Sequence, residues 1–367
     1  MKTFFLAISL ILVIIIGLVL VLALLEENSS LPKDIDISPD EEKKTSDQSL
    51  NLFEKEEREE DYKLKYGWKN YGGDTFYISF AITKEQLSEA ENEFGYYPDE
   101  LQKYLNEISE KMSIEMIVYL KEFIRQQIAK TKYSQYILIE EVDPKTFTLK
   151  LSVPAPLHKE VKPEFDKIKE KLTKEQGKYL KAIDKEVKKR WEMYLEERGL
   201  RFVGDKIGVM YEFCIRKNRL RVTQVAELMR KLKSDTSLRQ FLELLLAFIQ
   251  EIKYGIPPLE ENKKIILEFW VPPKVLANNF GDCDSKGVTF ASLWTNYKKY
   301  PLLLIKIPKH MFIGLAIPSI GEETITINGL RYTFCEVAGP DKIRPGLLTS
   351  YSQLYLEGRQ YFYEIID

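Results

Sequence analysis

The sequence contains an apolar segment long enough to cross a lipid bilayer, and this segment constrains the architecture more than any other feature. Residues 4–25 are Leu, Ile, Val, Phe and Ala, interrupted only by Ser9 and Gly17. A helix of about 20 such residues spans the hydrocarbon core. A cleaved signal peptide is the alternative, but its apolar region usually covers about 7 to 15 residues. We therefore predict that residues 1–25 form an uncleaved transmembrane anchor.

The charges on either side of the apolar segment predict its orientation. Lys2 and the terminal amine precede the segment, and Glu26 and Glu27 follow it. Positively charged flanks are retained on the cytoplasmic side of membranes. We expect a single-pass membrane protein that contacts the lipid bilayer through residues 4–25 and carries its C-terminal domain outside the cytoplasm.

The composition changes after the apolar segment. Residues 26–61 are rich in Glu, Asp, Lys and Ser and contain few large apolar side chains. Such a segment buries too little apolar surface to offset the loss of chain entropy on folding. We predict an acidic, disordered linker at residues 26–61.

Residues 62–235 are predicted to form a mixed, mainly helical region. A strand at residues 75–82 leads into a helix, because Thr83 and Gln86 have the spacing of a capping box. A hairpin is predicted for residues 136–142 and 146–152, around Asp143 and Pro144. Apolar residues at helical spacing predict four helices: one after Pro98 that extends to about residue 128, and others at 161–195, 223–232 and 236–252.

Residues 236–367 contain the cysteine with the best prospects of being reactive. Gly281 and Asp282 form a turn before Cys283, and an amphipathic helical pattern follows. A helix start favours a thiolate through its unpaired N–H groups and dipole, and the same amides can stabilise an oxyanion. A cysteine taken alone is more often a buried structural residue. The adjoining turn favours the reactive interpretation.

A thiol nucleophile needs a base, and the base needs an orienting group. His310 begins a predicted strand after the buried-strand pattern of residues 301–307. Glu336 lies on the second arm of a hairpin predicted by Asn328 and Gly329. A structural histidine and a solvated glutamate are the ordinary alternatives. We predict that Cys283, His310 and Glu336 come together.

Residues 240–350 resemble the transglutaminase-like superfamily, particularly bacterial members with a Gly-Asp-Cys-Asp turn. The matching pieces are Phe248-Ile249-Gln250 with Tyr254, Pro272-Pro273 with Leu276, Gly281 through Lys286, Lys309-His310, and Tyr332 through Glu336. The resemblance implies an α+β chain whose C-terminal domain, papain-like or transglutaminase-like, contains an antiparallel sheet. It also implies that Cys283 is the nucleophile, His310 the base and Glu336 the orienting acid.

Two site residues are less closely tied to the family pattern. After Glu336 the sequence reads Val-Ala-Gly where the family more often has Glu-x-Thr, so Asp341 is the reserve candidate for the acid. Gln250 is a candidate donor to the oxyanion, against the alternative of an ordinary helix-end residue.

The resemblance implies a thiol acyl-transfer enzyme that acts on amides of a peptide or protein substrate. Resolution of the acyl-enzyme by water gives a cysteine protease, and resolution by an amine gives a transglutaminase-like cross-linker. One alternative is a catalytically silent transglutaminase-like module that binds peptide or a cell-envelope polymer. Another is a helical, membrane-anchored scaffold with an incidental cysteine. The resemblance implies no metal and no cofactor.

Charge and cysteine patterns exclude other classes of function. The net charge is −2, and no Lys/Arg cluster stands apart from interleaved Glu, so nucleic acid is not predicted as a partner. The cysteine and histidine spacings do not match a zinc site. Cys214 and Cys335 have no role in the family; outside the cytoplasm they could form a disulfide with each other.

Overall fold

The computed structural model describes residue 50 and residues 52–143, 145–232, 237–297, 300–318, 323–339 and 341–366. The predicted anchor at residues 4–25 and most of the predicted linker lie outside these residues. Among the described residues, no helix combines the length and apolar character needed to cross a membrane.

The described residues form a mixed α+β structure, as predicted. The helices are α1 (Lys84–Glu93), α2 (Pro98–Ala129), α3 (His158–Glu196), α4 (Tyr211–Asn218), α5 (Thr223–Leu232), α6 (Leu238–Glu251), α7 (Pro272–Asn278), α8 (Cys283–Tyr297) and α9 (Ser350–Glu357). The strands are β1 (Leu52–Glu57), β2 (Asp61–Lys69), β3 (Thr75–Thr83), β4 (Ile137–Asp143), β5 (Thr146–Leu151), β6 (Leu200–Val203), β7 (Lys206–Val209), β8 (Lys253–Tyr254), β9 (Glu260–Glu261), β10 (Lys264–Ile265), β11 (Phe280–Gly281), β12 (Leu302–Ile307), β13 (His310–Leu315), β14 (Thr324–Ile327), β15 (Leu330–Cys335) and β16 (Phe362–Ile366).

The chain divides into two compact units. One comprises Pro98–Tyr194, and the other combines the described residues of 38–97 with those from Leu195 onward. This division differs from the predicted boundary between residues 235 and 236. Residues before 98 belong with the C-terminal part because their strands pack on α5 and α6.

The unit Pro98–Tyr194 is built from α2, most of α3 and the β4–β5 hairpin. Two ring contacts show that the helices lie antiparallel. Tyr104, near the start of α2, stacks on Tyr194, near the end of α3, and Tyr119, later in α2, contacts Tyr179, earlier in α3. Most of the apolar positions that predicted these helices are buried, for example Leu120 in α2. The predicted helices and hairpin are confirmed.

Strand β1 lies within the predicted linker of residues 26–61 and corrects the prediction of disorder for residues 52–57. Leu52–Glu57 pairs antiparallel with β2, which itself pairs with β3. Glu54 and Glu56 of β1 lie opposite Lys65 and Lys63 of β2, and Glu54 forms an ion pair with Lys65 at 3.0 Å. Cross-strand pairs of opposite charge are favourable, so the acidic composition is compatible with a sheet. At the end of β3 the predicted capping box of Thr83 and Gln86 is present.

The three-stranded sheet β1–β3 shares its core with α6. Tyr66 and Trp68 of β2 are buried, and their rings lie 5.2 and 5.1 Å from the ring of Phe248. Aromatic pairs at such distances add to the stabilisation from buried area. The sheet is therefore part of the unit that contains the C-terminal strands.

The C-terminal sheet is antiparallel, with strand order β14-β15-β13-β12-β16. The predicted turn between β14 and β15 is confirmed, since Asn328 and Gly329 have φ values of 50° and 79°. Helix α8 packs against β13. A Cβ atom at Gly287 would lie 2.6 Å from the Met311 side chain, so glycine allows this close approach.

We expect Trp68→Ala to lower the free energy of unfolding of the unit by about 3–5 kcal/mol, because it removes a fully buried ring. Hydrogen exchange of β12 and β13 amides under increasing urea measures the effect on the C-terminal sheet. Tyr77→Ala is the control: Tyr77 is on β3 and is 51% exposed. Unchanged exchange in β12 and β13 would indicate that the two sheets do not unfold together.

Candidate active site

Cys283 is the first residue of α8, as predicted. Asp282 caps the helix: its carboxylate accepts a hydrogen bond from the Ser285 N–H at 2.9 Å, and its carbonyl accepts one from the Lys286 N–H at 3.0 Å. Aspartate is a favoured residue at this position because it satisfies an otherwise unpaired donor. The local sequence thus fixes the nucleophile candidate at the helix start.

The thiol of Cys283 is buried beside a carboxylate. Its sulfur donates to Oδ1 of Asp284 at 3.4 Å and accepts a hydrogen bond from the backbone N–H of Met311. Burial raises the pKa of Cys283 well above its usual value, and the negative charges of Asp284 and Asp282 raise it further. The expectation of a thiolate favoured by the helix start is therefore wrong for this arrangement.

His310 and Glu336 are in direct polar contact. Nε2 of His310 lies 2.7 Å from Oε2 of Glu336, whose side chain is buried. The other carboxylate oxygen accepts hydrogen bonds from the N–H and hydroxyl of Thr349 at 3.3 and 3.2 Å, and from the Ser352 hydroxyl. Burial alone raises the pKa of Glu336, but the contacts with His310, Ser352 and Thr349 together leave it lowered. The group is thus an ionised acceptor.

The structure brings His310 and Glu336 together and places Cys283 beside the residue that follows His310. The Cys283 sulfur touches the backbone of Met311, the residue after His310, and His310 touches Glu336. Because Glu336 occupies Nε2, Nδ1 is the ring nitrogen left to exchange a proton with the thiol. Within the described residues, no hydrogen bond joins the Cys283 sulfur to the His310 ring. Contacts of this kind are often long in the absence of substrate.

Asp341, the reserve acid, does not take the orienting position. It lies exposed in the segment after β15, whereas Glu336 contacts the imidazole directly. Of the two candidates, Glu336 is the one that contacts the imidazole.

Gln250 is not arranged as an oxyanion donor. Its side-chain amide nitrogen donates to the carbonyl oxygens of Glu336 at 2.7 Å and Ile343 at 2.9 Å, which uses both of its N–H groups. Its amide oxygen accepts from the Tyr71 hydroxyl at 2.9 Å. Gln250 is almost fully buried and holds the backbone next to Glu336.

Two aromatic residues near Cys283 were not identified from the sequence as site residues. The Tyr211 hydroxyl donates to Asp284, and the Lys306 ammonium lies 3.9 Å from the centre of the Tyr211 ring. Tyr254 pairs with Gly281 across β8 and β11; partial burial, then the charges of Cys283 and neighbouring aspartates, raises its pKa to about 12. Tyr254 carried a signal in the family resemblance, but Tyr211 is 73 residues from Asp284 and carried none.

Lys286 is a buried cation within the same helix. Its Nζ donates to the carbonyl oxygens of Ile252, at 2.7 Å, and Ala338. Burial lowers the pKa of Lys286 to about 7, partly offset by the charges of Cys283 and Glu251. The side chain ties α8 to the segment that follows Glu336.

Asp282, Cys283 and Asp284 offer three possible metal ligands whose donor atoms lie within 4.8 Å of one another. Their donor atoms already have protein partners: Ser285 for Asp282, and Tyr211 and the thiol for Asp284. We therefore assign no metal to this cluster. Among the described residues, the three cysteines form no disulfide, so the possible Cys214–Cys335 bond is not present.

A cavity of about 120 Å³ lies elsewhere in the same unit, beside Trp270. Phe94, Tyr97 and Phe269 are among its lining residues, whereas Cys283, His310 and Glu336 are not. This cavity is therefore separate from the candidate site.

We expect Asp284→Asn to accelerate alkylation of Cys283 by iodoacetamide at pH 8 by at least about threefold. Removing the adjacent negative charge lowers the pKa of the thiol and increases the reactive thiolate fraction. Mass spectrometry of the Cys283 peptide gives the rate, with Asp205→Asn, an exposed turn residue, as control. In the wild-type protein the rate should continue to rise above pH 9. Equal rates in all three proteins would exclude this electrostatic effect.

No protein family model, no curated protein and no solved structure matches this chain. The roles of the site residues therefore depend on the contacts described above. The contact that carries most weight is the one between His310 and Glu336, next to a cysteine at a helix start.

Proposed function

We propose that this chain is a membrane-anchored thiol acyl-transfer enzyme of the transglutaminase-like kind, acting on amides of a peptide or protein substrate. One observation carries the proposal: His310 lies 2.7 Å from the buried, ionised Glu336. Met311, which follows His310 on β13, contacts the Cys283 sulfur through its backbone. Nucleophile, base and orienting acid in this order form the general constellation of thiol acyl transfer.

The proposed reaction begins with proton transfer from the Cys283 thiol to Nδ1 of His310. The thiolate attacks the amide carbon, and the resulting tetrahedral intermediate collapses as His310 protonates the leaving amine. The acyl-enzyme is then resolved by water, which gives hydrolysis, or by a second amine, which gives transamidation. Backbone N–H groups at the start of α8 are the proposed oxyanion donors, because the amide of Gln250 is already engaged.

Glu336 supports this reaction by orientation and charge. Its contact with Nε2 fixes the imidazole tautomer that leaves Nδ1 without a proton, which is the form able to accept one from the thiol. The same carboxylate stabilises the imidazolium that forms. Hydrogen bonds from Thr349 and Ser352 hold the carboxylate in place.

A second candidate is a catalytically silent transglutaminase-like module that binds peptide or envelope polymer. The observation that favours it is the orientation of the thiol, which bonds to Asp284 and has a raised pKa. A thiol-directed activity probe distinguishes the two candidates. Labelling of Cys283 that depends on His310 supports the enzyme, and an inert Cys283 supports the silent module.

We expect Cys283→Ala to abolish hydrolysis and transamidation of a glutamine-containing test peptide, because no other group on α8 replaces the nucleophile. Glu336→Gln should lower kcat by about 10²-fold or more, with some activity left, because an orienting acid does not bond to substrate. Cys214→Ala is the matched control, since Cys214 is buried and has no role in the reaction. Turnover by the Cys283 variant at the wild-type rate would overturn the mechanism.

We also propose that residues 4–25 anchor the protein with its catalytic unit outside the cytoplasm, on the basis of the apolar run and its flanking charges. In a bacterial host, protease added to intact spheroplasts should then remove the C-terminal part from the membrane fraction. Protection until lysis would reverse the proposed orientation. Recovery of a shortened chain in the soluble fraction would indicate a cleaved signal peptide instead.

A further inference from the structure

The turn between β2 and β3 contacts the segment that follows Glu336. The Tyr71 hydroxyl lies 2.9 Å from the carbonyl oxygen of Ile343. The Arg344 guanidinium donates to the carbonyl oxygen of Tyr71 at 3.0 Å, and the Lys342 ammonium donates to that of Lys69. Three successive residues, 342 to 344, are thus hydrogen-bonded to one turn of the N-terminal sheet.

The same hydroxyl is linked to Glu336 through Gln250. Tyr71 donates to the Gln250 amide oxygen at 2.9 Å, and the Gln250 amide nitrogen donates to the Glu336 carbonyl oxygen at 2.7 Å. Burial raises the pKa of Tyr71, so its hydroxyl keeps the proton that it shares between its two acceptors. Hydrogen bonds in such a chain polarise one another.

The segment after Glu336 is seated closely on the end of α6. Gly339 has a φ of 62°, and a Cβ atom there would lie 2.4 Å from the Gln250 carbonyl oxygen. Lys342 forms a buried ion pair with Glu251 at 2.7 Å. The backbone on the C-terminal side of the catalytic acid therefore has little freedom to move while these contacts hold.

From these contacts we propose that Tyr71 is a positioning residue of the active site: through Gln250 and Ile343 it fixes the backbone at Glu336 and so the direction of the carboxylate toward His310. This inference rests on the proposed function for its effect on rate, but not for its effect on geometry. The N-terminal sheet then has a role in catalysis, because Tyr71 in its β2–β3 turn helps to hold Glu336 in place.

The size of the expected effect follows from the geometry. Misplacement of a catalytic group by about 1 Å can cost on the order of 10²-fold in rate. Loss of one supporting hydroxyl allows a smaller shift, because Gln250, Lys342 and Arg344 retain their own contacts. We therefore expect kcat of Tyr71→Phe to fall by about tenfold, with KM changed by less than about twofold.

The matched control is Tyr77→Phe, which removes a hydroxyl from a half-exposed tyrosine on β3 of the same sheet. Its kcat should equal that of the wild-type protein. A double-mutant cycle with Glu336→Gln tests the route of the effect: once the carboxylate is gone, Tyr71→Phe should lower kcat little further. If Tyr71→Phe lowers the urea midpoint but leaves kcat unchanged, the residue is merely structural and the proposal is overturned.

A spectroscopic measurement separates this inference from the proposed function. The chain has only two histidines, so the nitrogen NMR signals of His310 can be assigned with His158 as internal reference. The Nε2 shift reports the contact with Glu336 whether or not the protein turns over a substrate. We expect it to move in Tyr71→Phe toward its value in Glu336→Gln and to stay fixed in Tyr77→Phe. An unchanged shift in Tyr71→Phe would overturn the inference, even if the enzyme proved active.

Discussion

The site depends on keeping an ionised carboxylate inside the protein. A buried charge is costly unless it is paired and hydrogen-bonded, and Glu336 has a partner for each oxygen. His310 takes one oxygen, and Thr349 with Ser352 takes the other. Because these partners come from β13 and the start of α9, the carboxylate defines how the strand of the base and the last helix approach each other.

At Cys283 the helix dipole, which favours a thiolate, competes with burial and nearby negative charges, which favour the thiol. The helix dipole favours a negative charge near its N-terminus by about 0.3–1 kcal/mol. Burial can shift a pKa by several units, and each unit corresponds to about 1.4 kcal/mol. With Asp282 and Asp284 also beside the sulfur, burial and repulsion outweigh the dipole, and the resting group is a thiol. In the proposed mechanism, His310 therefore has to take the proton of the thiol before the sulfur can attack.

Local signals in the sequence predicted the elements that carry the site. The Gly-Asp turn placed Cys283 at a helix start, and Asn328-Gly329 predicted the hairpin before Glu336, because capping and turn geometry depend on a few adjacent residues. Contacts between distant residues escaped prediction. The amide of Gln250 is used by carbonyl groups about 90 residues away. Strand β1 escaped prediction for another reason: its acidic composition indicated a linker, but Glu54 and Glu56 face lysines of β2. The raised pKa of the thiol required knowledge of its burial.

The unit that contains Cys283 is built from two parts that are far apart in sequence, and this separation has a consequence for its biosynthesis. Tyr71 and its acceptor Ile343 are 272 residues apart. At about 5–20 residues per second, a ribosome needs roughly 15 to 50 s to make the intervening chain. Early in that interval, Tyr66 and Trp68 lack the contact with Phe248 of α6 that covers their rings in the finished protein. The candidate site can therefore assemble only after residues 343–352 have been made, because they hold the contacts to Tyr71 and Glu336. Products that end before these residues would lack a formed site.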